Sequence, residues 1–407
     1  MACAKLPEVL PDRDVHRACS ASQTVEKLQP LLSRFGITRV ANLSGLDRFG
    51  LPVVMVCRPN ARSSAVFHGK GLDLASAKAA GLMEAIETWH AEHPDVVLRY
   101  GCRSDFSGRL ALIDTDLLPR VAGGREYVDQ PLHWVEGQDL FSGAAIWLPF
   151  DLVHADNRVN GLPSSGCFAA STNGLASGNT FQEAVSHALC EVIERDATSL
   201  WRQSSAMGRN GRRLDLSSVT AADCRSLMAR MLDSGLDVAV WDTTTDIGIP
   251  AFQCLIAERG NTASHLGAGA GCHPARNVAL QRALVEALQV RMTYIIGSRE
   301  DIGPNDYAPD TLTARHAAAH AMMCPVEQPR DFAAVAQGAC VENDRTVGWI
   351  LERLASAGIR QAVAVDLTRP DIGIAVVRVV IPGLEGSDHH SGYVPGQRAR
   401  AVSGRGS

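Results

Sequence analysis

Apolar positions along this chain switch between two periods, and the switches outline its elements. Over residues 180–202 the period is 3.6. Val185, Leu189, Val192 and Ile193 form one stripe, while Asn179, Glu183, His187, Glu191 and Glu194 line the opposite side, with Arg195 at its border. Thr180 can cap this helix, with Glu183 three residues on as a capping-box partner. The same period predicts helices over residues 24–35, 74–93, 275–296 and 345–356. Short β-branched runs predict strands at 38–44, 52–58, 237–242, 250–257, 361–367 and 372–381. Residues 68–71 (HGKG), 173–178 and 267–271 (GAGAG) read as Gly-rich loops leading into helices. Residues 94–170 yield few elements, 300–335 reads as a loop with a weak helical tract, and the tail from Pro382 carries no clear pattern.

A repeat runs through this outline. LDRFGLPVVMV (46–56), TTDIGIPAFQCL (244–255) and RPDIGIAVVRVV (369–380) each set an Asp and a Gly ahead of a strand. The helices echo one another as well. Gly71 and Gly178 are each followed 13 residues later by E-x-x-E, at 84–87 and 191–194, and Gly271 is followed 15 later by E-A-L-Q at 286–289. An i,i+3 pair shares one helix face. Interspersed strands and helices without a Ser/Pro linker predict a mixed α/β (α+β) chain with one continuous catalytic region: an N-terminal segment over 1–60, a catalytic domain over 61–398 and a flexible tail over 399–407.

Composition narrows the function classes. The 407 residues are 46% hydrophobic and 20% charged, which is globular, and the net charge of −5 argues against a nucleic-acid or membrane-surface binder. No apolar run approaches the ~18 residues of a membrane span, and the N-terminus lacks a signal-peptide core. The eleven Cys contain no C-x-x-C, which suits reduced thiols in a cytoplasmic protein.

The acidic helix faces carry the candidate chemistry. An exposed helix normally intersperses Lys with Glu, whereas here carboxylates line up and repel unless cations neutralise them. Hard cations such as Mg²⁺ take oxygen ligands and bridge one or two carboxylates to substrate phosphates. No Walker A motif and no strand–G-x-G-x-x-G unit occurs. A helix N-terminus after Gly can still bind phosphate, and Arg195 and Arg282 offer bidentate forks. An ion pair with the Glu cluster is the plainer role for Arg195. His187 reads as a packed helix histidine, and His389 and His390 as tail imidazoles. The sum is an ATP–Mg²⁺ site built from helices without a P-loop.

The runs S-T-N-G-L-A-S-G-N-T (171–180), E-V-I-E-R-D (191–196), G-K-G-L (69–72), M-E-A-I-E (83–87) and R-A-L-V-E-A-L-Q (282–289) resemble the YcaO family over roughly residues 35–398. The resemblance implies a YcaO-type fold in which ATP phosphorylates the oxygen of a peptide amide and a nucleophile then attacks, giving an azoline, a thioamide or an amidine. Glu84, Glu87, Glu183, Glu191 and Glu194 match the family's metal-site carboxylates. Arg17, Thr24, Asn179, Glu183, Arg195, Arg282 and Glu286 match positions toward the nucleotide. No residue is singled out as catalytic. The family's S-x-x-x-E-x-x-E motif begins here with Ala80, so one hydroxyl is missing.

Residues 36–53 and R-P-N at 58–60 resemble the branch that works with TfuA and is associated with thioamide formation. The end lacks the proline-rich tail common in azoline-forming members, and no fused peptide-binding domain is visible. A thioamide synthetase with a TfuA partner and a ribosomal peptide substrate is therefore the implied activity, in a homodimer. An azoline-forming cyclodehydratase is the alternative. A nucleotide-binding accessory subunit is a third reading, supported by Ala80 and opposed by the retained carboxylates.

Overall fold

A computed structural model describes residues 17–125, 127–338, 343–386 and 392–404. In chain order the elements are α1 (Ala21–Leu28), β1 (Arg39–Asn42), β2 (Val53–Cys57), β3 (Val66–Lys70), α2 (Leu74–Glu92), β4 (Leu98–Gly101), α3 (Arg103–Phe106), β5 (Leu132–Asp139), β6 (Ala145–Pro149), β7 (Leu175–Gly178), α4 (Phe181–Gln203), α5 (Ala206–Asn210), α6 (Ala222–Asp233), β8 (Leu236–Asp242), β9 (Ala251–Glu258), β10 (Gly267–Cys272), α7 (Arg276–Ile296), α8 (Pro309–Met323), α9 (Asn343–Ser356), β11 (Val363–Asp366), β12 (Ala375–Val380) and α10 (Gln397–Ser403). Helix and sheet are mixed throughout, as the periodicity predicts.

The repeat has a structural meaning. Each repeated segment is the turn and second strand of a hairpin: β1–β2, β8–β9 and β11–β12, all antiparallel. The turn Gly of each, Gly50, Gly248 and Gly373, has φ of 69°, 73° and 70°, a left-handed conformation that a side chain disfavours. A third strand pairs antiparallel to each second strand: β3 on β2, β10 on β9 and β7 on β12. Each third strand leads into a long helix, α2, α7 and α4 respectively. In the third unit the order is permuted, because β7 and α4 precede the hairpin in sequence. That unit is extended by β4, β5 and β6 into a six-stranded sheet.

The three units close into a ring. α2 packs on β3 and β7, α4 on β7 and β10, and α7 on β10 and β3. Glycine makes this close approach possible. A Cβ on Gly69 would lie 2.0 Å from the Ala77 carbonyl oxygen, and one on Gly269 would lie 2.3 Å from the Ala287 nitrogen. GAGAG is therefore not a loop but strand β10, and residues 175–178 of the expected loop at 173–178 form β7. Side-chain alternation cannot reveal such strands, because Gly has none.

Two further expectations are corrected. Residues 94–170 contain β4, β5 and β6 of the largest sheet, in which β5 pairs with β11 far along the chain. The tail contains α10, with Ala399 fully buried. The sheet β1–β2–β3 runs across residue 60 and ties the N-terminal segment to the rest. His389 and His390 lie outside the described residues. Among the described residues no helix is long and apolar enough to cross a membrane.

Candidate functional site

Three helices of the ring turn their acidic faces toward one another. In α4 the apolar stripe Val185, Leu189, Val192 and Ile193 is buried, which rotates Glu191 and Glu194 away from that core. Thr180 caps the helix by accepting the Glu183 N–H at 3.2 Å. The returning arm reaches one residue further back than a capping box: Glu183 Oε2 accepts the Asn179 N–H at 3.2 Å. Asn179 Nδ2 donates to Thr24 Oγ1 at 3.1 Å, joining α1 to the start of α4.

The ring brings the other carboxylates alongside. Ser177 Oγ on β7 donates to Glu87 Oε2 of α2 at 3.1 Å. Lys70 Nζ on β3 lies 2.8 Å from Glu286 Oε2 of α7. Arg195 reaches Glu191 at 3.5 Å and Glu194 at 3.8 Å. Arg378, buried in β12, donates to the Ser171 carbonyl at 2.6 Å. Arg282 Nη1 donates to the Cys272 carbonyl at 3.1 Å.

These groups act on one another electrostatically. Burial pushes the Glu84 carboxyl up to about 7, helped by the charges of Glu191 and Glu286 and opposed by Lys70 and Arg299. Glu87 is held well above the carboxylate range by burial and by Glu191 and Glu84, while Ser177 pulls it down. Burial raises Glu191, and raises Glu194 to about 7, in both cases against Arg195. Glu286 goes the other way: burial raises it, but Lys70 and Arg195 outweigh that and hold it below the usual value. His187 falls to about 3 through burial and the charges of Arg282, Arg17 and Lys70. Arg378 falls to about 10 through burial, against Glu191 and Glu87.

Glu84 and His187 keep solvent-accessible surface although protein surrounds them. Side chains on the wall of a cavity open to solvent have that combination. His187 is thus not the packed histidine that its place on the helix suggests.

The donor set suits a hard cation with phosphate. Glu84 makes no ion pair or hydrogen bond through its carboxylate among the described residues, and Glu87 has only Ser177. Among the described residues no three His, Cys, Asp or Glu side chains close into a ready-made metal cage. Spread carboxylates interleaved with Lys and Arg fit Mg²⁺ with phosphate, because that ion draws much of its shell from water and phosphate oxygens. They do not fit a structural zinc site.

Of the residues singled out in sequence, Glu84, Glu87, Glu191, Glu194, Glu286 and Arg195 share this field directly. Arg17 and Arg282 act on His187 at its edge, and Thr24, Asn179 and Glu183 are linked by hydrogen bonds at the start of α4. Lys70, Ser177, Arg299 and Arg378 were not singled out. Arg378 left a signal, a lone charge within the apolar run A-V-V-R-V-V. Ser177 left none, since its partner is 90 residues away.

Residues 68–385 match the family model described as YcaO cyclodehydratase, ATP- and Mg²⁺-binding. The chain is 38% identical to an uncharacterised protein in the tfuA 3′ region of Rhizobium leguminosarum bv. trifolii, over 91% of this chain and 89% of that one. It is 31% identical to an uncharacterised protein of Methanothermobacter thermautotrophicus, over 91% and 95%. Among solved structures, YcaO from Methanopyrus kandleri bound with AMPPCP and Mg²⁺ is similar with a TM-score of 0.73 at 20% identity, covering 92% of this chain and 94% of that one. A heterocyclase in complex with substrate and cofactor has a TM-score of 0.77 at 24% identity, and this chain, 91% covered, spans 53% of its length.

Proposed function

The chain belongs to the YcaO family, and on that premise we propose that it uses ATP to activate a peptide backbone amide, forming a thioamide together with a TfuA-like partner. The observation that carries this reading is the meeting of Glu84, Glu87, Glu191, Glu194 and Glu286 from three helices, with basic groups at its edges. In this reading residues 61–398 are the catalytic domain and 1–60 supplies Arg17 and Thr24. The protein acts as a homodimer in the cytoplasm.

The nucleotide is a substrate. Arg17, Thr24 and Asn179 contact it, and Arg282 and Lys70 meet its phosphates. Glu84, Glu87, Glu183, Glu191 and Glu194 hold Mg²⁺, which when bound neutralises charge on the triphosphate. Transfer of the γ-phosphoryl group to the amide oxygen gives ADP and an O-phosphorylated amide. A sulfide nucleophile then adds to the carbon, and phosphate leaves with the oxygen. The chain's own contribution is placement: charge-assisted hydrogen bonds fix the phosphates, and the walls keep the acceptor in line.

The tfuA-region relative favours this branch, and the heterocyclase fold relative keeps azoline formation as the second reading. Mass spectrometry of a peptide treated with ATP, Mg²⁺, sulfide and the partner decides between them. Exchange of oxygen for sulfur supports the proposal, loss of one water supports cyclodehydration, and ATP consumption without either product counts against both.

A further inference from the structure

The ring is locked at its three seams by arginines. In each hairpin turn one Asp receives a guanidinium from elsewhere: Asp47 from Arg291 of α7 at 3.8 Å, Asp371 from Arg34, and Asp246 from Arg398 of α10 at 2.5 and 3.2 Å. The seams are not equivalent in detail. Arg291 lies five residues after Glu286, and five residues after Glu191 the matching position in α4 is Asp196. At the seam facing Asp246, α4 carries a carboxylate where α7 carries an arginine. Arg398 resolves the mismatch by holding both. Its Nε and Nη2 donate to Asp196 at 3.0 and 3.1 Å while the same guanidinium holds Asp246.

Asp196 is fully buried and also accepts the Glu385 N–H at 3.0 Å. Glu385 in turn accepts the Tyr393 hydroxyl at 2.7 Å and the N–H groups of Gly396 and Ala399 at 2.9 and 2.8 Å. The segment carrying Arg398 is therefore itself fixed, and so is its buried partner Asp196.

We propose that Arg398 is a positioning residue of the nucleotide site: by bridging Asp196 to Asp246 it sets the height and rotation of the α4 face that bears Glu191 and Glu194. The inference rests on the nucleotide reading above. Asp196 directly follows Arg195, whose guanidinium serves Glu191 and Glu194. Without Arg398 the tie between Asp196 and the Asp246 turn is gone, and the stretch of α4 that carries Glu191, Glu194 and Arg195 loses an anchor to the neighbouring unit. Arg398 does this without touching nucleotide.

The test is direct titration of the full chain with AMPPCP in Mg²⁺, alongside thermal melting. Arg398→Ala should weaken the affinity about tenfold or more, as supporting residues around metal sites typically do, and Arg398→Lys should weaken it less. Guanidinium ion at low millimolar concentration should restore affinity to Arg398→Ala and not alter the wild type. Tyr393→Phe loosens the same segment at Glu385 but leaves the bridge, and should bind within about twofold of wild type. Unchanged affinity in Arg398→Ala, or equal losses in Arg398→Ala and Tyr393→Phe, overturns the proposal. If Arg398→Ala does not fold, Asp246→Asn reads the bridge from its exposed end: weaker binding supports it and wild-type binding overturns it. A wild type that binds no AMPPCP removes the nucleotide reading itself, a failure visible before any variant is compared.

Discussion

Ser177 on β7 and Glu87 on α2 are joined by a hydrogen bond of 3.1 Å. It is the one hydroxyl that Glu87 meets among the described residues. Hydrogen bonds to charged groups contribute about 1.5–3 kcal/mol. Ser177→Ala should therefore leave the fold intact and weaken Mg²⁺-dependent AMPPCP binding about tenfold. Binding equal to wild type, measured by calorimetry, would show that the hydroxyl is only a strand-packing feature.

The raised carboxyls set a pH dependence with a definite sign. In the nucleotide-free protein Glu84 and Glu194 titrate near 7, above the usual value of about 4.3 for a free glutamate. A raised acid binds its proton more tightly folded than unfolded, so its stabilisation is complete at low pH and is lost as pH rises through 7. Glu84→Gln removes the Glu84 share of this dependence. The variant's melting temperature minus that of the wild type, in EDTA, should grow from pH 5 to pH 8. A difference flat across that range would mean that Glu84 does not share the cavity.

Arg282→Ala and Val192→Ala separate binding from packing. Val192 is 4% exposed in the core stripe of α4, and its truncation should cost roughly 1–3 kcal/mol of stability by the cavity route. Arg282 should cost little stability but, as a phosphate contact, about tenfold or more in nucleotide affinity. Equal affinities in the two variants would remove Arg282 from the site.

The helices and their acidic faces were legible in sequence because a 3.6-residue period exposes them directly. Glu84, Glu87, Glu191 and Glu194 were found that way, and the Asp–Gly repeat marked the three hairpin turns. What stayed hidden was non-local or lacked side chains. GAGAG has no alternation to mark β10. The sheet that holds β4 to β6 joins the rest through β5, whose partner β11 lies more than 200 residues away, as Val363 opposite Asp139 shows. The permuted third unit places β7 before its own hairpin, so no reading in chain order could pair Ser177 with Glu87. Arg378 and Arg398 act only through that long-range assembly.

The central claim is that the three helix faces form one Mg²⁺–nucleotide site. Calorimetric titration of AMPPCP into wild type and Glu191→Gln at pH 8, with and without Mg²⁺, tests it most directly. Glu191 is in contact with Arg195 and lies off the apolar stripe, so the variant should melt within a few degrees of wild type, a change of about 0.5 kcal/mol or less. The account predicts saturable, Mg²⁺-dependent binding in the wild type, weakened about a hundredfold in Glu191→Gln. Wild-type binding indifferent to Mg²⁺, or equal affinity in the variant, would contradict it.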